Sequence, residues 1–384
     1  MFDSLATAAS LYLHIPFCLS KCPYCDFFSR IASPEQRDGY VEMLGRHLLF
    51  LYRSGVMNHA LETVFFGGGT PSLLRPKQVA FLLELLNNTV GLAENAEISL
   101  EANPGTVDLH RLRGYRRAGV NRLSIGVQTL QDEALRQLGR GHNRRQSEQA
   151  FEWAREAGFD NLSGDLMFGL AGQNLDQLLQ DLQGLLRLQP DHLSCYGLTV
   201  ESGTPFARRQ RRGQLALPGE ELFRTFYLAI HEQLTGAGFE HYEISNYARP
   251  GRVCRHNLAY WQRRSCHGVG AGAHIFCASG YGLRRSVPAD LRRYRRFLQQ
   301  GRDPAVTLDT FDRREAMAET LYLGLRCRQG VCEDHFRARF GVGVAGAFPE
   351  ALNRCGERLK KQQGCWRFDL EGWLLYDHFI LNFL

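Results

Sequence analysis

The sequence predicts an α/β fold: a parallel sheet made from six strand–helix units, with a smaller C-terminal α+β domain. Three observations carry this expectation. Short apolar or β-branched runs alternate with stretches of helical spacing from residue 10 to about 240. The strand runs are apolar, as strands covered by helices on both faces are. After about residue 245 the alternation stops, and a stretch rich in Gly, Cys and aromatics precedes a second helical region from about 312.

The six strands are expected at SLYLHIPF (10–17), ETVFFGG (62–68), EISLEANP (97–104), RLSIGVQ (122–128), NLSGDLMFGL (161–170) and HLSCYGLTV (192–200). Helices are expected between them, as in DGYVEMLGRHLLFLYRSG (38–55), PKQVAFLLELLNNTV (76–90), DLHRLRGYRRAG (108–119) and NLDQLLQDLQGLLRLQ (174–189). The last is stopped by Pro190. The stretch 243–276, EISNYARPGRVCRHNLAYWQRRSCHGVGAGAHIF, reads as loops and short strands. From 313 onward the spacing suits helices with a small hairpin around CWRFDLEGWLL (365–375), a winged-helix-like pattern. The chain therefore divides into 1–245, a connecting region 246–310, and 311–384.

Composition excludes several classes. With 44% hydrophobic and 22% charged residues and no window of about eighteen apolar residues, the 384-residue chain reads as soluble and globular. The N-terminus MFDSLATAASLYLHIPF lacks the basic stretch and apolar core of a signal peptide. Eleven cysteines in a long chain without a leader point to free thiols and metal ligands in the cytoplasm rather than to a disulfide scaffold. The net charge of +6 is scattered over ARRQRRG (207–213), LRRYRRF (291–297) and RHNLAYWQRR (255–264). Solvated faces or an anionic pocket explain these groups better than nucleic acid does.

Chemistry is concentrated after the first strand. Cys18, Cys22 and Cys25 form C-x3-C-x2-C, close enough for one loop to wrap three thiolates around a single inorganic centre. A structural zinc site would need a fourth nearby ligand, and His14 could supply it. Three thiolates on a four-iron cluster instead leave one iron open to a small molecule. FFGGGTPS (65–72), after the second strand, offers glycines through which the backbone can approach a ligand.

The cysteine motif with Tyr24 before its last cysteine, together with GGGTP, resembles the radical S-adenosylmethionine (SAM) superfamily. LYLHIPFC, GVQ, DLMFGL, HNLAYW and GAGAH are similar to its HemN/HemW branch of oxygen-independent coproporphyrinogen III oxidases and heme chaperones. The resemblance spans nearly the whole chain and implies a partial (β/α)6 radical SAM barrel followed by a HemN-like C-terminal domain. It implies a [4Fe–4S] cluster on Cys18, Cys22 and Cys25, with Tyr12 and Tyr24 beside it. SAM would chelate the open iron and be cleaved to a 5′-deoxyadenosyl radical after electron transfer. Gly68, Gly69 and Thr70 would line its methionyl end, and Glu101, Gln128, Arg140 and Asp165 would reach its other groups. A carboxylate suits an ammonium or ribose hydroxyls, and an arginine suits a carboxylate. The structural alternatives are that Glu101 and Asp165 cap the following segments and that Gln128 satisfies a buried backbone group.

Departures choose within the branch. The oxidase pattern has a further cysteine where this chain has Phe27, and a longer extension before the cluster. HNLAYW (256–261) and GAGAH, ending in His274, point instead to the chaperone subgroup, with His256 as the candidate heme ligand and Tyr260 and Trp261 able to stack on a macrocycle. The alternative for His256 is a loop histidine bonded to the strand beside it. Ala171 stands where proline is common in the branch, a small loop change. Of the other thiols, Cys254 with Cys266, or Cys327 with Cys332, could form a metal or porphyrin attachment instead of packing singly.

The implied function is heme binding and delivery, with heme as cargo and heme-acceptor proteins as partners, besides an electron donor such as flavodoxin or ferredoxin. Membrane-surface association and dimerisation remain open. The rival readings are porphyrinogen decarboxylation, radical methylation or cyclopropanation, and a zinc-stabilised module without redox chemistry.

Overall fold

A computed structural model describes residues 10–384, so the leader reading for the first nine residues lies outside the described residues. The six predicted strands are all present: β1 (Ser10–Ile15), β2 (Leu61–Gly68), β3 (Leu92–Ala102), β4 (Arg122–Gln128), β5 (Leu162–Phe168) and β6 (His192–Gly197). They pair in sequence order, each parallel to the next. Helices α1 (Pro34–Arg53), α2 (Pro76–Asn87), α3 (Leu109–Ala118), α4 (Asp132–Gln137), α5 (Arg144–Glu156) and α6 (Leu175–Arg187) provide the crossovers. After β6 come α7 (Pro205–Arg211) and α8 (Glu220–Gly236).

Local signals place these helices. Ser33, Asn143 and Asn174 each cap a helix and receive a glutamine three residues on in a reciprocal capping box. Helix α6 ends at Arg187, before Pro190, because Gln189 turns left-handed at φ 51°.

The strands alternate rather than being apolar throughout. Leu11, Leu13, Val64, Phe66, Leu123 and Leu166 join the helices in one core, while Tyr12, Phe65, Glu101, Ser124 and Asp165 line the other face. That second face is the barrel interior, and it is polar because a cavity lies there.

The connecting region 246–310, read as loops and short strands, contributes strands to the same sheet. Strands β7 (Glu240–Glu243) and β8 (Asn246–Ala248) extend it beyond β6. On the other side β9 (Cys266–Val269) pairs parallel with β1, and β10 (His274–Cys277), β11 (Leu283–Ser286) and β12 (Val306–Thr310) follow antiparallel. Among the described residues the sheet has twelve strands and stays open, with β12 and β7 as its edges. Strands of three to five residues are too short to announce themselves by period.

HNLAYW is likewise not a loop but helix α9 (Arg255–Trp261). Its first-turn N–H groups are held from β3, where the Glu97 carboxylate accepts from Arg255 and His256, both at 3.1 Å. A cap supplied from 159 residues away leaves no local signature. Helix α10 (Leu291–Gln299) packs against α1, where Tyr294 OH meets Met43 O and the His47 ring.

The C-terminal domain holds α11 (Arg313–Gly324), β13 (Val331–Cys332), α12 (Glu333–Phe340), α13 (Val344–Ala347), α14 (Pro349–Cys355), β14 (Leu359–Gln362), β15 (Cys365–Phe368), α15 (Leu370–Leu374) and α16 (Tyr376–Ile380). The hairpin is β14–β15, ahead of the predicted centre, and most of DLEGWLL folds as α15 because Asp369 caps it through the Gly372 N–H. Strand β13 adds to β15 in register, Cys332 opposite Cys365, and the two are joined by a disulfide. Neither expectation for Cys332, a free thiol or a pair with Cys327, survives. No helix among the described residues is long and apolar enough to cross a membrane.

Candidate functional site

The loop after β1 carries Cys18, Cys22 and Cys25 and is tied at its base by Cys18 N–H to Arg30 O (3.1 Å) and Arg30 N–H to Pro16 O (2.9 Å). Its far side docks on α7, whose Phe206 N–H donates to Pro23 O at 3.0 Å. All three thiols are free, half-buried, and face one cavity of about 570 Å³ at the carboxyl ends of β1–β6. Tyr12, Tyr24, Gly68, Gly69, Thr70, Glu101, Gln128, Arg140 and Asp165 line the same cavity. The structure thus brings the predicted constellation together.

Donors are aimed at the sulfurs. Thr70 Oγ1 is 3.5 Å from Cys18 Sγ, and an Arg140 terminal nitrogen is 3.8 Å from Cys22 Sγ and 3.4 Å from the Tyr24 hydroxyl. Another Arg140 nitrogen donates to Gly126 O at 3.0 Å, while its buried Nε has no partner among the described residues. Burial pushes the Cys25 thiol up, as expected for a sulfur that would carry its charge only with a positive centre beside it.

The glycines answer a steric demand. A Cβ on Gly69 would stand 2.7 Å from Phe17 O and 2.9 Å from Phe17 N, inside the backbone of the cysteine loop. Gly68 sits at φ 114°, where a Cβ would meet the His14 ring at 2.6 Å. This geometry frees the Gly68 N–H to donate to Glu101 at 3.0 Å.

Glu101 and Asp165 line the cavity half-buried, and neither is in a salt bridge among the described residues. Burial, then the Asp165 charge, raises the Glu101 carboxyl to about 8, against the Gly68 N–H. Burial raises Asp165 to about 6, opposed by the Ser124 and Ser194 hydroxyls; Ser124 Oγ lies 2.9 Å away. Neither carboxylate caps a following segment, so that alternative is set aside. A cationic or hydroxyl-rich ligand would suit both carboxylates.

A stability prediction follows. A carboxyl whose folded pKa exceeds its unfolded value of about 4.3 loses stability as pH rises from there through about 8. Ligand-free Glu101→Gln is therefore expected to match the wild type in Tm near pH 5 and to exceed it by several degrees at pH 8–9. Parallel Tm profiles for the two proteins would contradict the buried-carboxylate account.

Two histidines are already occupied. His14 holds Tyr12 OH (3.2 Å) and Phe28 O (3.0 Å), so neither ring nitrogen is left to complete a zinc site. Among the described residues no three His, Cys, Asp or Glu side chains crowd closely enough to hold one metal ion. His256 reaches the cavity wall but is 1% exposed, with Nδ1 at 2.7 Å from Thr63 Oγ1 and Nε2 at 3.0 Å from Tyr260 OH. It is the histidine bonded to its neighbouring strand, and this geometry gives it no free nitrogen for iron. His256→Ala is expected to cost about 1–3 kcal/mol for each orphaned partner, read as a lower Tm. A normal Tm with loss of an axial-imidazole signature on heme would restore the ligand role.

The remaining motif calls separate. His274 is exposed on β10 and does not line the cavity. The GAGAH glycines serve packing: a Cβ on Gly270 would meet Tyr40 OH at 2.6 Å and His14 O at 2.7 Å. Cys254 and Cys266 are buried singly, beside Glu97 and Tyr260.

Several cavity residues escaped the sequence reading: Arg122, Ser124, Ser163, His192, Ser194 and Tyr196. A signal was present. Positions 122, 124, 126 and 128 on β4, 163, 165 and 167 on β5, and 192, 194 and 196 on β6 all face the cavity, the period-two face of neighbouring strands.

Comparison with known proteins agrees with this geometry. The chain matches the family profiles described as Radical SAM superfamily, over residues 12–184, and HemN C-terminal domain, over 311–375. It is 35% identical over 91% of both chains to the heme chaperone HemW of Bacillus subtilis. It is 38% identical to the heme chaperone HemW of Escherichia coli, covering 91% of this chain and 92% of that one. Its fold resembles coproporphyrinogen III oxidase (HemN) from Escherichia coli, with a TM-score of 0.83 at 23% identity, covering 98% of this chain and 90% of the other.

Proposed function

Because the chain belongs to the radical SAM superfamily and, within it, to the family of the heme chaperone HemW, we propose that it holds a [4Fe–4S] cluster and SAM in the cysteine-lined cavity and binds heme for delivery to acceptor proteins. The observation that carries the cofactor assignment is the single loop presenting three free thiols into a cavity that two half-buried carboxylates, Glu101 and Asp165, also line.

The residues present suit these groups. Cys18, Cys22 and Cys25 would ligate the cluster, with Thr70 and Arg140 donating to ligand sulfurs, contacts that tune a cluster's potential. The cluster supplies one-electron chemistry and an iron open to a small molecule. Gly68 and Gly69 keep backbone rather than side chain at the cavity wall. Glu101 and Asp165 would receive ammonium or ribose hydroxyl groups, Arg140 a carboxylate, and Tyr12, Tyr24 and Gln128 the rest of the ligand surface. Phe27, 61% exposed, stands at the position of the oxidase's additional cysteine, which weighs against decarboxylation.

An electron donor such as flavodoxin or ferredoxin and heme-acceptor proteins complete the reading. Nine free thiols against one bridged pair suit a reducing, cytoplasmic setting. The test is anaerobic reconstitution followed by heme titration and transfer to an apo-acceptor. Stoichiometric uptake and transfer support the chaperone reading; conversion of coproporphyrinogen III with SAM and a reductant would overturn it in favour of the oxidase.

A further inference from the structure

Residues 204–214, TPFARRQRRGQ, carry four arginines and no carboxylate. Thr204 caps helix α7 through the Ala207 N–H, and Phe206 and Ala207 are buried, which leaves Arg208, Arg209, Arg211 and Arg212 exposed. The Arg208 and Arg209 guanidiniums reach backbone only, Gly203 O and Gln214 O, each at 3.4 Å. The side chains of Arg211 and Arg212 have no hydrogen-bond partner, and none of the four has a carboxylate within ion-pair distance, among the described residues. Glu201, Glu220 and Glu221, the carboxylates nearest in sequence, are exposed and pair with none of them. Glu133, on α4 across a narrow cleft from Arg209, is held by Arg136 of its own helix.

Position separates this group from the other arginine-rich helix. Helix α10 also bears exposed arginines without ion-pair partners among the described residues, Arg292, Arg295 and Arg296, yet it packs on α1 and none of its residues lines the cluster cavity. Helix α7 instead rests on the cysteine loop. Phe206 N–H donates to Pro23 O at 3.0 Å, and the Phe206 ring packs 6.2 Å from that of Tyr24. Pro23 and Tyr24 stand between Cys22 and Cys25. The same loop exposes Leu19 and Lys21, between Cys18 and Cys22, and carries one carboxylate, Asp26.

A cationic surface in contact with the cluster loop suits an anionic partner, and a cluster that exchanges single electrons needs a partner that supplies them. A lipid surface fits less well. A helix lying in an interface turns an apolar face to the lipid, whereas Phe206 and Ala207 of α7 are turned into the protein.

We propose that α7 and the exposed part of the cysteine loop form the docking surface for an acidic one-electron carrier protein bearing a flavin or an iron–sulfur group. The proposal rests on the cluster reading and deepens it by giving the electron donor its place on the chain. In the step it serves, one electron leaves the donor's reduced group and enters the oxidised cluster, and no bond forms or breaks. The arginines steer the encounter and set its orientation, and because they are exposed, salt screens them over about 8 Å at physiological ionic strength.

The test is a titration of the full-length reconstituted protein with an acidic flavodoxin, at low and at physiological salt, read by flavin fluorescence. Iron content and Tm are measured on every variant. Arg208→Gln with Arg211→Gln and Arg212→Gln leaves Arg209 in place over the Phe206 ring. It is expected to weaken binding at low salt by at least about tenfold and to flatten the salt dependence, with iron, Tm and the extent of reduction by dithionite unchanged. Arg292→Gln with Arg295→Gln and Arg296→Gln removes the same charge from α10 and is expected to leave affinity near the wild-type value. Equal losses in the two triple variants, or no loss in the α7 variant, would overturn the docking surface and leave the cluster reading standing. So would an α7 variant that no longer binds phosphatidylglycerol vesicles while flavodoxin binds it as well as the wild type. A wild type that takes up no iron on reconstitution would overturn the cluster reading itself.

Discussion

Replacing Cys18, Cys22 or Cys25 singly by alanine is expected to take bound iron from about four per chain to near zero and to remove the broad absorbance near 400 nm. The reason is the economy of the site: one loop supplies every protein sulfur, and one iron is left for the small molecule, so no spare thiol can move in. Cys254, which also lines the cavity, is buried and held against Glu97. The control is Cys355→Ala, in the C-terminal domain, which is expected to leave iron content as in the wild type. Iron analysis and Mössbauer spectroscopy on anaerobic samples decide it. Wild-type iron in any one of the three loop variants would remove the basis of the cofactor assignment.

Gly69→Ala is expected to be nearly as damaging without touching a ligand. The added methyl would lie 2.7 Å from Phe17 O and 3.0 Å from Ile15 O, both backbone atoms, so no side chain can rotate out of the way. Gly69 N–H also donates to Ile15 O at 2.9 Å, which ties the glycine turn to the root of the cysteine loop. Overpacking of this kind costs about 1–3 kcal/mol, tolerable for a chain of this size. The loop that must shift is the one holding Cys18, so the larger loss falls on function. Expected are a drop of a few degrees in Tm, a protein that still folds, and at least about tenfold weaker SAM binding, a change of about 1.4 kcal/mol. Unchanged SAM affinity would show that the close approach of the two loops is not what shapes the site.

The parts of this protein that repeat or stand close together in the chain were legible. The six β/α units announce themselves by period, and the spacing of the three cysteines in one loop fits a single inorganic centre. Glu101, Gln128, Arg140 and Asp165 were reached through resemblance, and the structure brings them to one cavity. Their unforeseen neighbours Ser124 and Ser194 follow from the pleat, which sends alternate residues of adjacent strands to one side.

Other features depended on partners far away in sequence. HNLAYW is helical because Glu97 caps it from β3, and the same contact sets His256 between Thr63 and Tyr260, where it has no nitrogen to offer a metal. CHGV joins the sheet because β1 offers it a parallel edge, and the connecting region supplies five strands of the fold. His14 carried no ligand signal that could be ruled out locally; only folding sets its ring between Tyr12 OH and Phe28 O. The sequence by itself determined the repeated elements and the cysteine loop, because period and spacing are local properties of a chain. The tertiary structure alone decided that His14 and His256 have no nitrogen left for a metal, because a ring's hydrogen bonds are set by whatever groups folding brings against it.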